Sequence, residues 1–137
     1  MNFYRVEPEV AGELGAGTVY LSTFPTVVSE MEYLFDRWPS DELVQAHPCF
    51  AVSGELKELI ESSQLTGYKF SNCKVGTTSY FEGDRGVIPP FYRIEPIGSP
   101  KLDDFALDTN HHLVVSEEAK RILERFKLLQ CDFSLVL

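Results

Sequence analysis

The chain has 137 residues and a formal net charge of −9, with 44% hydrophobic and 24% charged residues. These values are typical of a folded globular domain and exclude a disordered chain. Nucleic acids and anionic lipid surfaces attract clusters of Lys and Arg, so this acidic balance disfavours both as partners. No apolar run approaches the roughly 20 residues of a membrane helix. The N terminus lacks the basic and apolar regions of a secretory signal, so we expect a cytoplasmic protein.

Acidic residues are concentrated in the first part of the sequence. Residues 1–55 contain nine acids and two bases, whereas residues 56–137 contain twelve acids and ten bases. Such an imbalance favours association with a basic protein, although net negative charge can also serve solubility alone. The cysteines Cys49, Cys73 and Cys131 are far apart and do not have metal-ligand spacing. We therefore expect three reduced thiols, no metal and no cofactor.

The N-terminal third predicts two short strands and a helix. Phe3–Val6 and Val19–Phe24 are rich in β-forming residues, and the three glycines of segment 9–17 indicate a loop between them. Segment 29–38 begins with a Ser-x-x-Glu pattern and places apolar residues on one helical face, which predicts a helix over Ser29–Trp38. The polar segment 40–48 then predicts a connection.

The rest of the chain predicts two strand–helix–strand units. Ser53 and Ser116 are the predicted N-caps, since each precedes an amphipathic segment. Glycines in segment 82–86 indicate a hairpin tip. The predicted strands are Phe50–Val52, Gly67–Val75, Phe91–Ile97, His112–Val115 and Gln130–Leu137, with a long polar connection over residues 98–110.

These two units are related in sequence. Residues 50–73 align without a gap on residues 113–136, and eight of the 24 pairs are identical. A second echo precedes each unit, because the sequence FYRVEP at residues 3–8 returns as FYRIEP at residues 91–96. We interpret this as an internal repeat that builds two related halves around one core. The alternative is convergence, since strand–helix–strand units resemble one another by patterning alone.

No motif in the sequence predicts catalysis. The glycines of segment 12–17 lack the Gly-Lys-Ser/Thr ending of a phosphate loop. His111 and His112 would face opposite sides of a strand and could not easily share a metal. Trp38, the sole tryptophan, is either a core residue of the predicted helix or an interface anchor beside acidic neighbours.

The C-terminal part resembles a known family. Residues 89–137 contain a predicted strand, a connection with Asp103, Asp104 and Phe105, the segment LVVSEEAKRILERF and the ending CDFSLVL. This stretch is similar to the Myxococcus-type immunity proteins of bacterial polymorphic toxin systems. The resemblance is weaker from Phe50 and does not include residues 1–48. It implies a non-catalytic protein that protects cells by binding a cognate toxin, and it brings no catalytic residues with it.

The sequence therefore predicts one α+β domain over residues 1–137, built of two related halves with a mostly antiparallel sheet and two or three packed helices. The expected function is binding and neutralisation of a basic toxin domain, without enzymatic activity and with homodimerisation left open. A small enzyme with a site between the halves and a self-assembling structural subunit are the alternatives. The predicted partner-binding residues are Glu30, Glu32, Asp36, Trp38, Asp41 and Glu42, with Asp84 and Arg85 at the hairpin tip.

Overall fold

The computed structural model describes residues 1–23, 27–83 and 88–137. About 45% of the chain is strand, and two helices complete an α+β fold. No helix in these ranges has the length and apolar character required to cross a bilayer. The elements are β1 (Phe3–Glu7), β2 (Gly12–Leu14), β3 (Val19–Leu21), β4 (Val27–Phe35), β5 (Leu43–Ala46), β6 (Cys49–Ser53), α1 (Gly54–Glu61), β7 (Tyr68–Thr77), β8 (Phe91–Pro96), β9 (Phe105–Leu107), β10 (Leu113–Ser116), α2 (Glu117–Leu123) and β11 (Asp132–Val136).

The strands form two sheets. Sheet I has the order β11-β1-β10-β9, and sheet II has the order β2-β4-β7-β8-β6-β5, with β3 paired to β4. All pairings within these orders are antiparallel except that of β4 with β7, which is parallel. The mostly antiparallel character predicted from the sequence is therefore confirmed.

The two sequence repeats occupy matching places in the two sheets. The FYR strand is central in each sheet: Arg5 in β1 pairs with Val114 and Ser134, and Arg93 in β8 pairs with Ala51 and Ser71. These partners are equivalent positions of the repeat. Each strand that contains the FYR sequence, however, pairs with the unit from the other half of the chain. β1, at the N terminus, lies between β10 and β11 of the C-terminal unit, and β8 lies between β6 and β7 of the N-terminal unit. The two sheets are thus built by an exchange of central strands.

Both predicted N-caps are confirmed. The Ser53 hydroxyl accepts the Leu56 N–H at 3.2 Å, and the Ser116 hydroxyl accepts the Ala119 N–H at 3.0 Å. Each serine leaves its strand in an extended conformation, so its oxygen satisfies one of the free donors of the first helical turn. The same local chemistry therefore begins both helices.

The main core lies between the sheets and the two helices. It joins β1, β5, β6, α1, β8, β9, β10 and α2 through buried aliphatic and aromatic residues, including Val6, Leu56, Ile60, Phe105, Leu113 and Leu123. Lys57 and Lys120, at equivalent positions of the repeat, each lie about 5 Å from two aromatic rings. Such cation–π contacts cover the edge of the apolar core without burying the ammonium groups.

Three N-terminal predictions are wrong. The predicted helix Ser29–Trp38 is strand β4, because Met31, Tyr33 and Phe35 are buried with a period of two while the residues between them are more exposed. The predicted loop over residues 9–17 contains β2, and the predicted connection over residues 40–48 contains β5. The connection over residues 98–110 likewise contains the short strand β9. Each missed strand is short or gains its burial from a distant partner.

β4 closes sheet II almost into a barrel. β4 pairs with β7 on one edge and with β2 and β3 on the other, which brings β2 beside β5. The Tyr33 hydroxyl accepts the Ala11 N–H and donates to the Gln45 carbonyl, both at 2.9 Å. Burial raises the pKa of Tyr33, so this bridging hydroxyl keeps its proton. A second core fills the interior of this near-barrel, with Val28, Met31, Phe35, Ala51 and Phe91 among its members.

Candidate functional site

A groove of about 430 Å³ opens where the β4–β5 connection, the start of α1 and the segment before β8 meet. We name it the Trp38 groove. Its apolar wall consists of Trp38, Pro39, Pro89, Pro90 and Phe91, and its acidic wall consists of Asp41, Glu42, Glu55 and Glu58. None of the described residues that line it is basic. The groove therefore joins an aromatic surface to a concentration of negative charge.

The segment that carries Trp38 is anchored by the buried carboxylate of Glu9. Glu9 is 2% exposed and accepts the backbone N–H groups of Ser40 and Asp41 at 2.9 and 3.0 Å. Arg37 forms an ion pair with the same carboxylate at 3.2 Å. A buried carboxylate is stable when hydrogen bonds and a cation compensate it. Glu9 therefore fixes the backbone on both sides of Trp38.

Trp38 is partly exposed and rests on a buried ring. The residue is 43% exposed, and its ring centroid lies 6.1 Å from that of Phe81, which is 4% exposed. The aromatic contact holds one side of the indole while the other remains accessible from the groove. Trp38 is therefore not a buried core residue of a helix, as one of the two sequence-based interpretations had it.

Glu55 and Glu58 lie on the first turns of α1 and are exposed. Within the described residues, neither carboxylate forms a hydrogen bond or an ion pair. Their spacing of three residues places them on one helical face, and both line the groove together with Trp38. Sequence reasoning missed both residues, although their i,i+3 spacing beside a predicted cap is the signal that could have indicated them.

Asp41 and Glu42 line the groove but use their carboxylates inside the protein. Asp41 is 2% exposed and accepts the Leu129 and Gln130 N–H groups at 2.6 and 2.8 Å. Glu42 accepts the Ser53 hydroxyl at 2.7 Å. Reversing the charge of Asp41 would break these bonds and lower stability, so Asp41 is unsuited as a probe of binding.

The other predicted site residues lie elsewhere. Glu30 is exposed on β4, and Glu32 accepts the Gly17 N–H at 2.8 Å at the irregular junction of β2 and β3. Asp36 lies 3.7 Å from Arg37. None of these three residues lines the Trp38 groove. Asp84 and Arg85 lie outside the described residues.

The thiols are unreactive by environment. Burial, with an added contribution from the charge of Asp41, raises the pKa of Cys131 to about 12. Burial likewise raises the pKa of Cys73 to about 11 and raises that of Cys49. Thiolate is the nucleophilic and metal-binding form, so these thiols are poorly suited to either task near neutral pH. Within the described ranges, no group of three or more His, Cys, Asp or Glu side chains gathers in a metal-binding arrangement.

No protein-family model, curated protein or solved structure matches this chain.

Proposed function

We propose that this chain is a non-catalytic binding protein that captures a basic protein through the Trp38 groove. The observation that carries the proposal is the pairing of a partly exposed tryptophan with Glu55 and Glu58, whose carboxylates form no hydrogen bond or ion pair within the described residues. An Arg or Lys side chain of the partner would lie over the indole face while its charged group binds the two carboxylates. Tryptophan and arginine dominate the binding energy of many interfaces, so this groove is suited to be the centre of one.

The partner we propose is the toxic domain of a bacterial toxin, in keeping with the resemblance of residues 89–137 to immunity proteins. The net charge of −9 supports attraction of a basic domain over long range. Filling the groove with a partner side chain would hold this protein over the toxin surface and prevent access of the toxin to its substrate. Neutralisation then requires affinity and complementary shape but no chemical step.

The test is capture and rescue with matched variants. The wild-type chain, Trp38→Ala and the double variant Glu55→Gln/Glu58→Gln are used to capture partners from a bacterial lysate at low and high salt. The captured protein is then expressed in a test bacterium with and without each variant. We expect the wild-type chain to restore growth, and both variants to bind at least about tenfold more weakly, because each loses a charge-assisted or cation–π contact.

The repeat supplies the control. Glu118 is the equivalent of Glu55 on α2 and is also exposed, but Arg121 stands where α1 has Glu58. Glu118→Gln should therefore bind the partner as the wild-type chain does, and the glutamine variants should keep the wild-type melting temperature, whereas Trp38→Ala also loses its packing on Phe81. Equal capture by Glu55→Gln/Glu58→Gln and the wild-type chain would exclude the Trp38 groove as the site.

Self-assembly is a second candidate that one observation favours. The three residues of β3, Val19, Tyr20 and Leu21, are 42–52% exposed, and Val27 on the paired strand is 46% exposed. An exposed apolar strand at a sheet edge is a common site of strand pairing between chains. Sedimentation velocity over a hundredfold concentration range tests this, with Tyr20→Lys as the variant that should keep the chain monomeric. A constant monomer mass in the wild-type chain would dismiss it.

A further inference from the structure

The concave face of sheet I is open where the equivalent face of sheet II is covered. The two faces are compared most directly at their central arginines, which have equivalent strand partners. Arg93 is 8% exposed, and its guanidinium donates to the Val28 carbonyl at 2.7 Å and lies 3.8 Å from Glu95. Strand β4 provides that carbonyl and much of the cover. Arg5, in contrast, is exposed and has no hydrogen bond or ion pair within the described part of the chain.

A groove of about 350 Å³ lies over Arg5, and we name it the Arg5 groove. Val136 provides partly exposed apolar surface above the buried Val114, while Lys101 adds a second cation from the connection that precedes β9. Asp108 is the one described acid that lines the groove, and its carboxylate already accepts the N–H groups of Asn110 and His112. In a chain with net charge −9, the described lining of this groove therefore carries two cations, Arg5 and Lys101, against one acid, Asp108, whose charge interacts with that of Arg5.

The outer edge of β11 borders the same groove. Ser134, Leu135 and Val136 line it, and β11 pairs with β1 alone among the described strands. An unpaired strand edge offers backbone donors and acceptors to an added strand. The face of sheet I offers cations and apolar side chains, and the edge of β11 offers backbone donors and acceptors. An extended polypeptide could bind to both at once.

We propose that the Arg5 groove binds an extended segment of a partner protein, which covers sheet I as β4 covers sheet II. The carbonyl of that segment accepts from Arg5, as the Val28 carbonyl accepts from Arg93. Its alternate apolar side chains pack on Val114 and Val136, and an acidic side chain reaches Lys101. This is the composition of β4 itself, VVSEMEYLF, which alternates apolar residues with Glu30 and Glu32. The inference is independent of the Trp38 groove and of the partner proposed for it.

The test uses β4 as the probe. A synthetic peptide of residues 27–35, capped at both ends and labelled through a glycine–serine linker, is titrated with the full chain by fluorescence anisotropy. We expect saturable binding with a dissociation constant below about 1 mM. Arg5→Ala should weaken binding at least about tenfold, because it removes a charged donor, whereas a scrambled peptide should not bind. Arg5 forms no hydrogen bond or ion pair within the described residues, so the variant should keep a melting temperature close to that of the wild-type chain.

Each other outcome decides against the proposal. Absence of saturable binding, or equal binding by the wild-type chain and Arg5→Ala, overturns it, because a peptide that displaces β4 from sheet II would not depend on Arg5. Self-association of the wild-type chain that Arg5→Ala abolishes, measured by sedimentation at the titration concentrations, would assign the groove to a second copy and also overturn it. The variant Glu55→Gln/Glu58→Gln should bind the peptide normally, so failure here and failure at the Trp38 groove are separable.

Discussion

Sheets I and II place the same repeated elements in the same register, yet they differ in what lies on their concave faces. In sheet II the strands β2, β3 and β4 extend the sheet, curl it and bury Arg93. In sheet I the equivalent face remains open, and Arg5 is exposed. The comparison teaches that the same arginine position has a structural role where other strands bury it, as in sheet II, and is accessible to a partner where they do not, as in sheet I. It also shows how an inserted segment can change a surface into a core without altering the sheet beneath it.

The largest expected effect separates the two arginines. Arg93→Ala removes a buried donor from the Val28 carbonyl and leaves a cavity in the near-barrel, so it should lower the free energy of unfolding by about 3 kcal/mol. Arg5→Ala should change it by less than about 0.5 kcal/mol, as is usual for an exposed side chain. Urea unfolding followed by circular dichroism measures both. Similar losses in the two variants would mean that Arg5 has a structural role equal to that of Arg93.

A second comparison concerns two carboxylates, Asp41 and Asp104. Asp41, before β5 of sheet II, binds the segment that follows α2, and Asp104, before β9 of sheet I, binds the segment that follows α1. Asp41 accepts two N–H groups from residues 129 and 130, and Asp104 accepts the Thr66 N–H at 2.9 Å as well as the hydroxyls of Thr66 and Ser116. Asp41→Ala leaves two donors without their charged acceptor and should cost about 2 kcal/mol, while Asp104→Ala, at a half-buried position, should cost about 1 kcal/mol. Hydrogen exchange at residues 129 and 130 should accelerate in Asp41→Ala only. Unchanged exchange there would show that the loop does not depend on Asp41.

The helix caps should behave alike. Ser53→Ala and Ser116→Ala each remove one cap acceptor at the same position of the repeat, and each should lower the free energy of unfolding by about 1 kcal/mol. Threonine at either position keeps the oxygen and serves as the control. A difference between the two alanine variants larger than about 1 kcal/mol would break the equivalence of the helices.

The smallest effect is a pH dependence in the C-terminal unit. The pKa of Cys131 is raised from 9.0 to about 12, so the folded thiol keeps its proton where the unfolded thiol loses it. Its contribution to stability is complete below pH 9 and decreases as pH rises from 9 towards 12. At pH 9 the loss should be no more than about 0.4 kcal/mol. Cys131→Ala should flatten the decline between pH 8 and 10, and an identical decline in both proteins would contradict the assignment.

The elements of the repeat could be predicted because local chemistry specifies them. Ser53 and Ser116 are caps in both sequence and structure, and the strands on either side of each helix have the expected places. β4 could not be predicted in this way, because Ser-x-x-Glu and the spacing of Met31, Leu34 and Phe35 fit a helix locally. Its strand pairing depends on β7, whose paired residues lie 42 positions further along the chain, as in Met31 and Cys73, and local periodicity does not report such a partner.

The candidate site was predicted only in part for the same reason. Trp38 could be predicted because it is the sole tryptophan and has acidic neighbours in the sequence. Asp41 has the sequence character of a surface acid, but its acceptor role depends on Leu129 and Gln130 at the other end of the chain. Glu55 and Glu58 were missed because their proximity to Trp38 follows from the fold of β4 and β5.

The exchange of central strands also determines the order in which the two sheets can be completed while the chain is being synthesised. β8 emerges from the ribosome after β5, β6, α1 and β7, so sheet II can assemble before the C-terminal third is made. β1 precedes the other described strands in the chain but pairs only with β10 and β11, which follow the rest. At typical translation rates of about 5–20 residues per second, Phe3–Glu7 must wait several seconds for its partners. Of the described strands, the one synthesised first is therefore among the last to be protected.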